Sequence, residues 1–126
     1  MEPTMPASPY RSLMPRERAL LDCLLFPDFA GKDQLASQVA QCLVRELDDD
    51  GSLGFLVDPG APMDASLCES RIPTEAEYED SDGVTVHFLL YVVDGVIREL
   101  EVYREDNART AEWPPDPSLL RVFTPG

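Results

Sequence analysis

Apolar residues in the first third of the chain recur at the spacing of an α-helix. Pro15 suits the first turn of this helix because its missing N–H is not needed there, and Pro27 marks its end. The apolar positions of the helix are Leu20, Leu21, Leu24 and Leu25. A second, short helix is predicted over residues 33–39, where Leu35 and Val39 share a face.

From Cys42 onward the apolar pattern changes to a period of two, which is typical of β-strands. The alternating or apolar segments are residues 43–47, 53–57, 74–79, 84–93 and 96–105. Asp-Gly dipeptides, a strong hairpin signal, stand at three of the boundaries, Asp50-Gly51, Asp82-Gly83 and Asp94-Gly95. The pattern predicts an α+β fold, with one or two N-terminal helices packed on a mainly antiparallel, hairpin-connected sheet of about five strands.

The register of each hairpin is predicted from the requirement that one face of the sheet be apolar. A two-residue loop at Asp94-Gly95 would set Phe88 opposite Glu101, so a three-residue loop over residues 93–95 is favoured, with Gly95 in the left-handed conformation. The same loop is predicted over residues 81–83 and 49–51. The resulting pairs are Val92–Val96, Leu90–Arg98, Phe88–Leu100, Val86–Val102, Val86–Tyr78, Phe88–Ala76, Leu47–Leu53 and Leu43–Val57.

The opposite face of the predicted sheet is rich in acids and also carries tyrosines. We predict that it binds a protein partner through Glu75, Glu77, Glu79, His87, Tyr91, Glu99, Glu101 and Tyr103. His87 is expected to lie between Glu77 and Glu101. Leu89 and Ile97 are expected on the same face, where aromatic and apolar residues ringed by charge suit either a protein interface or a second layer formed by the C-terminal segment.

Charge is distributed unevenly along the chain. Of 126 residues, 24 are Asp or Glu and 10 are Lys or Arg, which gives a net charge of −14. Residues 45–106 hold 17 of the acids and four of the arginines, so they carry nearly the whole imbalance. This makes nucleic acid and anionic membranes poor partners. It suits either a solvated face or a docking surface for a basic partner.

Three regions are predicted from composition and length. Residues 1–12 form a Pro-rich leader expected to be flexible, residues 13–106 a single domain, and residues 107–126 an extended Pro-rich segment that docks on the body, partly through Trp113. The longest apolar run, residues 88–93, is too short to span a bilayer, and no signal-peptide pattern opens the chain. A cytoplasmic location is therefore expected, with Cys23, Cys42 and Cys68 reduced and mostly buried.

His87 with its neighbouring glutamates is the arrangement that most resembles a catalytic group, because carboxylates favour the imidazolium. A cross-strand charge pair is the favoured interpretation, since a flat sheet face offers no obvious pocket. The acidic turns at residues 48–51 and 80–83 resemble calcium loops, but Val57 and Leu89 stand where such a loop needs its last glutamate. Nucleotide-binding and hydrolase motifs are absent from the sequence. No catalytic residue, cofactor or metal is predicted.

Six short motifs spread over residues 13–106 carry a family resemblance. They are Leu13-x-Pro15-x-Glu17, Asp50-Gly51-Ser52-Leu53, Glu75-Ala76-Glu77-Tyr78, Asp82-Gly83-Val84, Val93-Asp94-Gly95 and Glu99-Leu100-Glu101-Val102-Tyr103-Arg104-Glu105-Asp106. Together they resemble a family of small, acidic, bacterial single-domain proteins of unknown function, and the resemblance implies no site. In size, acidity and organisation the chain is also similar, in type alone, to immunity proteins of bacterial toxin systems.

Three functional hypotheses follow. The first is a non-enzymatic binding protein, such as an immunity or inhibitor protein, whose acidic sheet face docks a basic protein partner. The second is a small enzyme or ligand-binding domain centred on His87 and the neighbouring carboxylates. The third is a subunit of a larger assembly that packs through Leu89, Ile97 and the C-terminal segment.

Overall fold

Two helices cover one face of a six-stranded antiparallel sheet. The computed structural model describes residues 9–108 and 116–124. Its elements are α1 (Pro15–Leu24), α2 (Lys32–Ala40), β1 (Cys42–Glu46), β2 (Leu53–Val57), β3 (Glu75–Glu79), β4 (Thr85–Val93), β5 (Val96–Arg104) and β6 (Arg121–Phe123), with short 3₁₀ turns at Ala65–Leu67 and Pro117–Leu119. The strand order is β1-β2-β5-β4-β3-β6. The predicted α+β class is confirmed, with six strands rather than about five.

The core lies between the helices and one face of the sheet, called here the inner face. Helix α1 buries its predicted apolar stripe, and α2 buries Leu35 and Val39. The residues of β4 and β5 that meet them are Val86, Phe88, Leu90, Val92, Ile97, Leu100 and Val102, all within 1% of complete burial. The apolar periodicity therefore located the helices and most of the inner face correctly. Neither helix is long and apolar enough to cross a membrane, among the residues described.

The two ends of the chain contribute to the sheet edges. Arg11 forms a β-bridge with Val44 of β1, and β6 pairs with β3 through Ala76–Val122 and its neighbours. The sixth strand thus comes from within residues 107–126, the segment that we predicted to be extended and to dock on the body. The predicted flexible leader spans residues 1–12, of which residues 1–8 lie outside the described residues. The predicted docking of Trp113 also falls outside them, on residues 109–115.

The β4–β5 turn differs from the three-residue loop that we predicted. Val93 pairs with Val96, so Asp94 and Gly95 alone form the loop, both at positive φ (52° and 76°). The register then shifts by one at Arg98, an extra residue between Ile97, opposite Val92, and Glu99, opposite Tyr91. This bulge restores the apolar alternation that a two-residue loop would otherwise have inverted. As a result Phe88 pairs with Val102 instead of Leu100.

The bulge also corrects the predicted position of Ile97. Instead of lying on the acidic face, Ile97 is completely buried in the core, and Arg98 is the exposed residue. Packing of a further subunit on Ile97 is therefore ruled out. Leu89 does lie on the acidic face, where it is half-buried.

The β1–β2 loop is one residue longer than predicted. Asp48 accepts hydrogen bonds from the backbone N–H groups of Asp50 (2.9 Å) and Ser52 (3.1 Å), which closes a four-residue loop. Glu46 therefore pairs with Leu53, and the predicted Leu47–Leu53 and Leu43–Val57 pairs are wrong. The shift puts Val44 in the core and exposes Leu43 and Leu47. The β3–β4 register, with Tyr78 opposite Val86 and Ala76 opposite Phe88, is confirmed.

Glu17, at the start of α1, is a buried charge with several partners. Its carboxylate accepts two hydrogen bonds from the Arg11 guanidinium (2.8 and 2.9 Å) and one from the Met14 N–H (2.8 Å). Burial raises the pKa of Glu17, but the bonds from Arg11 and Met14 outweigh it, so its pKa lies below the ordinary 4.5. The contacts tie the residues before α1 both to the helix and, through the Arg11 bridge, to β1.

We expect Glu17→Gln to reduce the free energy of unfolding by about 1–2 kcal/mol at neutral pH, because the charge-assisted bonds to Arg11 are lost. The loss is no larger because Arg11 is partly exposed to solvent. Because folding lowers this pKa, the contribution is complete above pH 4.5 and is lost as the pH falls through the folded-state pKa. Urea unfolding between pH 7 and pH 3 measures it. Glu46→Gln, which removes only an exposed 3.4 Å contact to Arg11, is the control. If the difference in unfolding free energy between wild type and Glu17→Gln did not become smaller in acid, the ionised Glu17 carboxylate would not be the source of this stability.

Two buried glutamines attach α2 to the β4–β5 turn. The Gln38 side-chain amide donates to the carbonyls of Pro62 (2.7 Å) and Gly95 (2.8 Å), and its oxygen accepts from the Ile97 N–H (2.9 Å). Gln34 donates to the carbonyls of Asp64 and Gly95 and accepts from the Asp64 N–H. These bonds hold the helix, the turn and the loop after β2 together at one end of the sheet.

Candidate functional site

All eight sequence-predicted site residues lie on the face of the sheet opposite the helices, called here the outer face. In β3 they alternate with buried Ala76 and Tyr78, and in β4 with Phe88 and Leu90. The set is Glu75, Glu77, Glu79, His87, Tyr91, Glu99, Glu101 and Tyr103. Six of the eight residues are half-buried, because their neighbours pack beside them along and across the strands, whereas Glu79 and Tyr103 are exposed. The eight residues thus share one face of the sheet, and neither described helix covers it.

His87 lies in a cross-strand row that differs from the predicted one. Its pairing partners are Glu77 on β3 and Tyr103 on β5, and its ring stacks on the Tyr103 ring at a centroid distance of 4.8 Å. Its Nε2 lies 2.8 Å from Glu105 Oε1, and its Nδ1 lies 3.8 Å from Glu77 Oε2. The predicted neighbour Glu101 is instead opposite Leu89. The two-residue loop and the bulge at Arg98 together account for the correction, because each displaces β5 by one position relative to β4 in our prediction.

Glu105 is therefore a site residue that the sequence analysis did not select. The signal that could have identified it is the Asp94-Gly95 dipeptide, since Asp-Gly at positive φ is typical of a two-residue hairpin loop. Accepting that loop, and adding a bulge to restore the apolar face, would have placed Glu105 beside His87. With Glu105 included, the imidazole has a carboxylate on each side and an aromatic ring beneath it.

Glu101 belongs to a second row, where it accepts a hydrogen bond from the Tyr91 hydroxyl (3.0 Å). Burial raises the pKa of Tyr91, and the bond to Glu101 raises it further. Burial also raises the pKa of Glu99, to which the charges of Glu101 and Asp48 add. The pKa of Tyr103 is raised by burial and then by nearby carboxylates. The upward shifts caused by charge indicate that the acids on this face repel one another and produce a negative potential.

Positive side chains lie on the strands at both edges of the sheet. On β6, Arg121 Nη2 lies 2.8 Å from Glu77 Oε1. On β1, the Arg45 guanidinium lies over the Tyr10 ring at 5.2 Å from its centroid. The centre of the outer face, on β3, β4 and β5, is therefore acidic, whereas the β1–β2 side carries the exposed leucines Leu43 and Leu56, which pair directly.

Residues 10–114 match the sequence profile of a protein family whose description is a domain of unknown function (DUF6984). This range covers most of the chain, from the segment before α1 through β5. The chain belongs to the DUF6984 family. The resemblance to a family of unknown function is thereby confirmed. No curated protein and no solved structure matches the chain.

In this DUF6984 domain, the acidic turn at residues 80–83, which resembled a calcium loop, binds an arginine side chain instead. Arg104 is 7% exposed, and its guanidinium donates to Asp80 (2.9 Å), to Asp106 (2.8 Å) and to Asp82. The bonds from Arg104 lower the pKa of Asp82 and bring that of Asp106 to about 2. These carboxylates balance a buried cation, so the acidic turn secures the end of β5 to the β3–β4 hairpin.

Two grooves formed by described residues of this DUF6984 protein lie away from His87. One of about 490 Å³ is formed at the ends of β1 and β2, with Leu43, Leu56 and Pro59 among its walls. Another, of about 410 Å³, lies between the end of α1 and the C-terminal segment, beside Phe26 and Pro117. Neither groove is lined by a residue of the acidic rows. The outer face offers an extended surface to a ligand, which suits a macromolecule better than a small molecule.

Proposed function

We propose that the protein is a non-enzymatic, cytoplasmic binding protein whose outer face docks a basic protein partner, as an immunity or inhibitor protein does. The observation that carries the proposal is the continuity of the acidic rows. Three neighbouring strands present glutamates, His87 and two tyrosines on one open face that the helices do not cover.

Electrostatics supports this proposal in two ways. Residues 45–106 carry nearly all of the net charge of −14, and the glutamates of β3 and β5 concentrate part of it on one side of the sheet. Such a field attracts a basic protein over a distance of about a Debye length and increases its association rate. Burial raises the pKa of Glu99, and the charges of Glu101 and Asp48 raise it further, so these acids repel one another and a basic partner relieves that repulsion.

The tyrosines of the outer face supply a contribution to binding that is separate from the electrostatic one. Tyr91 and Tyr103 are held in place, one by its bond to Glu101 and the other by stacking on His87. Rigid aromatic rings surrounded by charge lose little conformational entropy on binding and are enriched at the centres of interfaces. Long-range attraction by the acids and close packing on the tyrosines would therefore act on the same partner.

We expect the double variant Glu77→Lys, Glu101→Lys to reduce the association rate with the partner by about tenfold or more at low salt. The partner is first obtained by affinity capture from host lysate, as a stoichiometric basic protein that is released at high salt. Stopped-flow association at several salt concentrations then measures the effect. Asp28→Lys with Glu69→Lys changes the net charge equally in loops on the helix side and is the control.

The proposal fails if association is equally fast at low and high salt, or if both double variants reduce the rate by the same factor. The first result would remove the electrostatic mechanism, and the second would show that net charge rather than the outer face matters. The other hypotheses, an enzyme centred on His87 and a subunit of an assembly, stay predictions. An undiminished in-cell function of His87→Ala would exclude the first of them.

A further inference from the structure

The acidic outer face already has a basic strand beside it in the free protein. Strand β6 pairs antiparallel with β3, with Arg121 opposite Glu77, Val122 opposite Ala76 and Phe123 opposite Glu75. Arg121 donates to Glu77 at 2.8 Å, which places a guanidinium next to the His87 row. The alternation of a basic residue with an apolar one therefore shows what kind of strand the β3 edge accepts.

The attachment of β6 is weak compared with that of the other strands. The strand has three residues, against nine in β4 and in β5. Arg121 and Phe123 are exposed, and Val122 alone is partly buried against the core. An exposed ion pair such as Arg121–Glu77 contributes about 0–1 kcal/mol. A competing strand of similar chemistry therefore has little stabilisation to overcome at this edge.

The β3 edge beneath β6 offers two features to a competitor. Its backbone supplies the unpaired N–H and C=O groups of an edge strand once β6 leaves. Its outer side chains are acidic and its inner ones, Ala76 and Tyr78, belong to the core. A ligand strand thus needs basic residues where Arg121 lies and an apolar residue where Val122 lies. The range matched by the DUF6984 profile ends before β6, so within that range the sheet ends at β3.

We propose that the basic partner binds as an extended strand that takes the place of β6 on β3, with an Arg or Lys of the partner replacing Arg121 on Glu77. This inference rests on the proposed function and specifies its geometry. In the free protein β6 then acts as an internal competitor. The acidic rows of β4 and β5 would contact the remaining basic residues of the partner across the outer face.

Two synthetic peptides and the full-length protein test this arrangement. One peptide alternates Arg and Val, and the other alternates Arg and Pro with the same charge, so that every second residue lacks its N–H and is fixed at the φ of proline. We expect the wild-type protein, at low salt, to bind the Arg-Val peptide more tightly than the Arg-Pro peptide. Arg121→Ala should strengthen that binding by roughly two- to fivefold, the amount that an exposed ion pair allows. Fluorescence anisotropy measures both affinities.

Two further variants separate strand displacement from other effects. Arg98→Ala removes an exposed positive charge from the bulge of β5 and should increase affinity less than Arg121→Ala. Val122→Ser weakens the packing of β6 without changing charge, and it should strengthen Arg-Val binding while leaving Arg-Pro binding unchanged. Circular dichroism confirms that each variant is folded.

The outcomes distinguish the inference from the function on which it rests. Equal affinity for the two peptides, or equal effects of Arg121→Ala and Arg98→Ala, would overturn strand replacement while salt-sensitive binding still supported an acidic docking face. If neither peptide binds, or if Glu77→Lys with Glu101→Lys leaves binding intact, the proposed function fails as well. Preference for the Arg-Val peptide together with strengthening by both β6 variants supports the inference.

Discussion

Replacement of Gln38 by Leu is expected to lower the free energy of unfolding by about 2–4 kcal/mol, because buried backbone groups lose their hydrogen-bond partner. The Pro62 carbonyl and the Ile97 N–H bond to the Gln38 amide, and leucine can bond to neither. The Gly95 carbonyl keeps its bond from Gln34 at 3.1 Å. Gln38 is completely buried, so water does not reach these groups without a rearrangement of the helix.

Gln41→Leu is the matched control for this substitution. Gln41 is one turn further along the chain, exposed at the end of α2, and its side chain makes a single long contact of 3.4 Å to the Ser37 carbonyl. We expect it to change stability by less than about 0.5 kcal/mol, as surface substitutions usually do. Urea unfolding followed by circular dichroism compares the two. Similar midpoints for both variants would show that the Gln38 bonds contribute little.

The buried glutamines illustrate what apolar periodicity does and does not predict. Leu35 and Val39 located the inner face of α2, but Gln34 and Gln38 lie on that same face, and a pattern that counts apolar positions ignores them. Their burial depends on carbonyls of the β4–β5 turn, about sixty residues away along the chain. Polar residues on the buried face of a helix need hydrogen-bond partners, and here carbonyls of the turn and of the loop after β2 supply them.

The strands were predictable for a similar reason, and their register only in part. Alternation fixes which residues of a strand share a face, so Glu75, Glu77 and His87 were correctly placed together. It does not fix the length of a turn or the position of a bulge, and both alter which residues face one another across strands. The two-residue loop and the bulge at Arg98, both unexpected, together replaced Glu101 by Glu105 beside His87 and buried Ile97.

The β1–β2 loop shows how a local hydrogen bond decides the register of a hairpin. Alternation in residues 43–47 is compatible with either face, because Leu43 and Leu47 on one side compete with Val44 on the other. The Asp48 carboxylate decides the matter by bonding to two backbone N–H groups, which lengthens the loop by one residue. Leucines that looked like core residues then lie on the outer face, beside Gly54 and Arg45.

The turn that determines the β4–β5 register is also crowded by the loop after β2. Gly95 has a φ of 76°, and an added Cβ would lie 2.7 Å from the Asp64 carbonyl oxygen and 2.9 Å from the Ala65 Cα. Its own carbonyl accepts from both Gln34 and Gln38. Gly83, in the β3–β4 turn, has a similar φ of 87°, but an added Cβ there meets nothing within 4 Å. Substitution of Gly83 therefore tests the backbone strain of a positive φ alone, whereas substitution of Gly95 tests the same strain together with crowding.

We expect Gly95→Ala to lower the free energy of unfolding by about 3 kcal/mol, and Gly83→Ala by about 1 kcal/mol. Both substitutions force a side chain into the left-handed region, but Gly95→Ala alone must also push the 58–67 loop away from the turn, because the contacts are with backbone atoms. Thermal and urea unfolding of the two variants measure the difference. Equal losses would mean that the loop moves aside without cost and that the glutamine bonds do not fix it. A larger loss for Gly95→Ala would show that one rigid junction holds the helix, the turn and the register of the acidic rows.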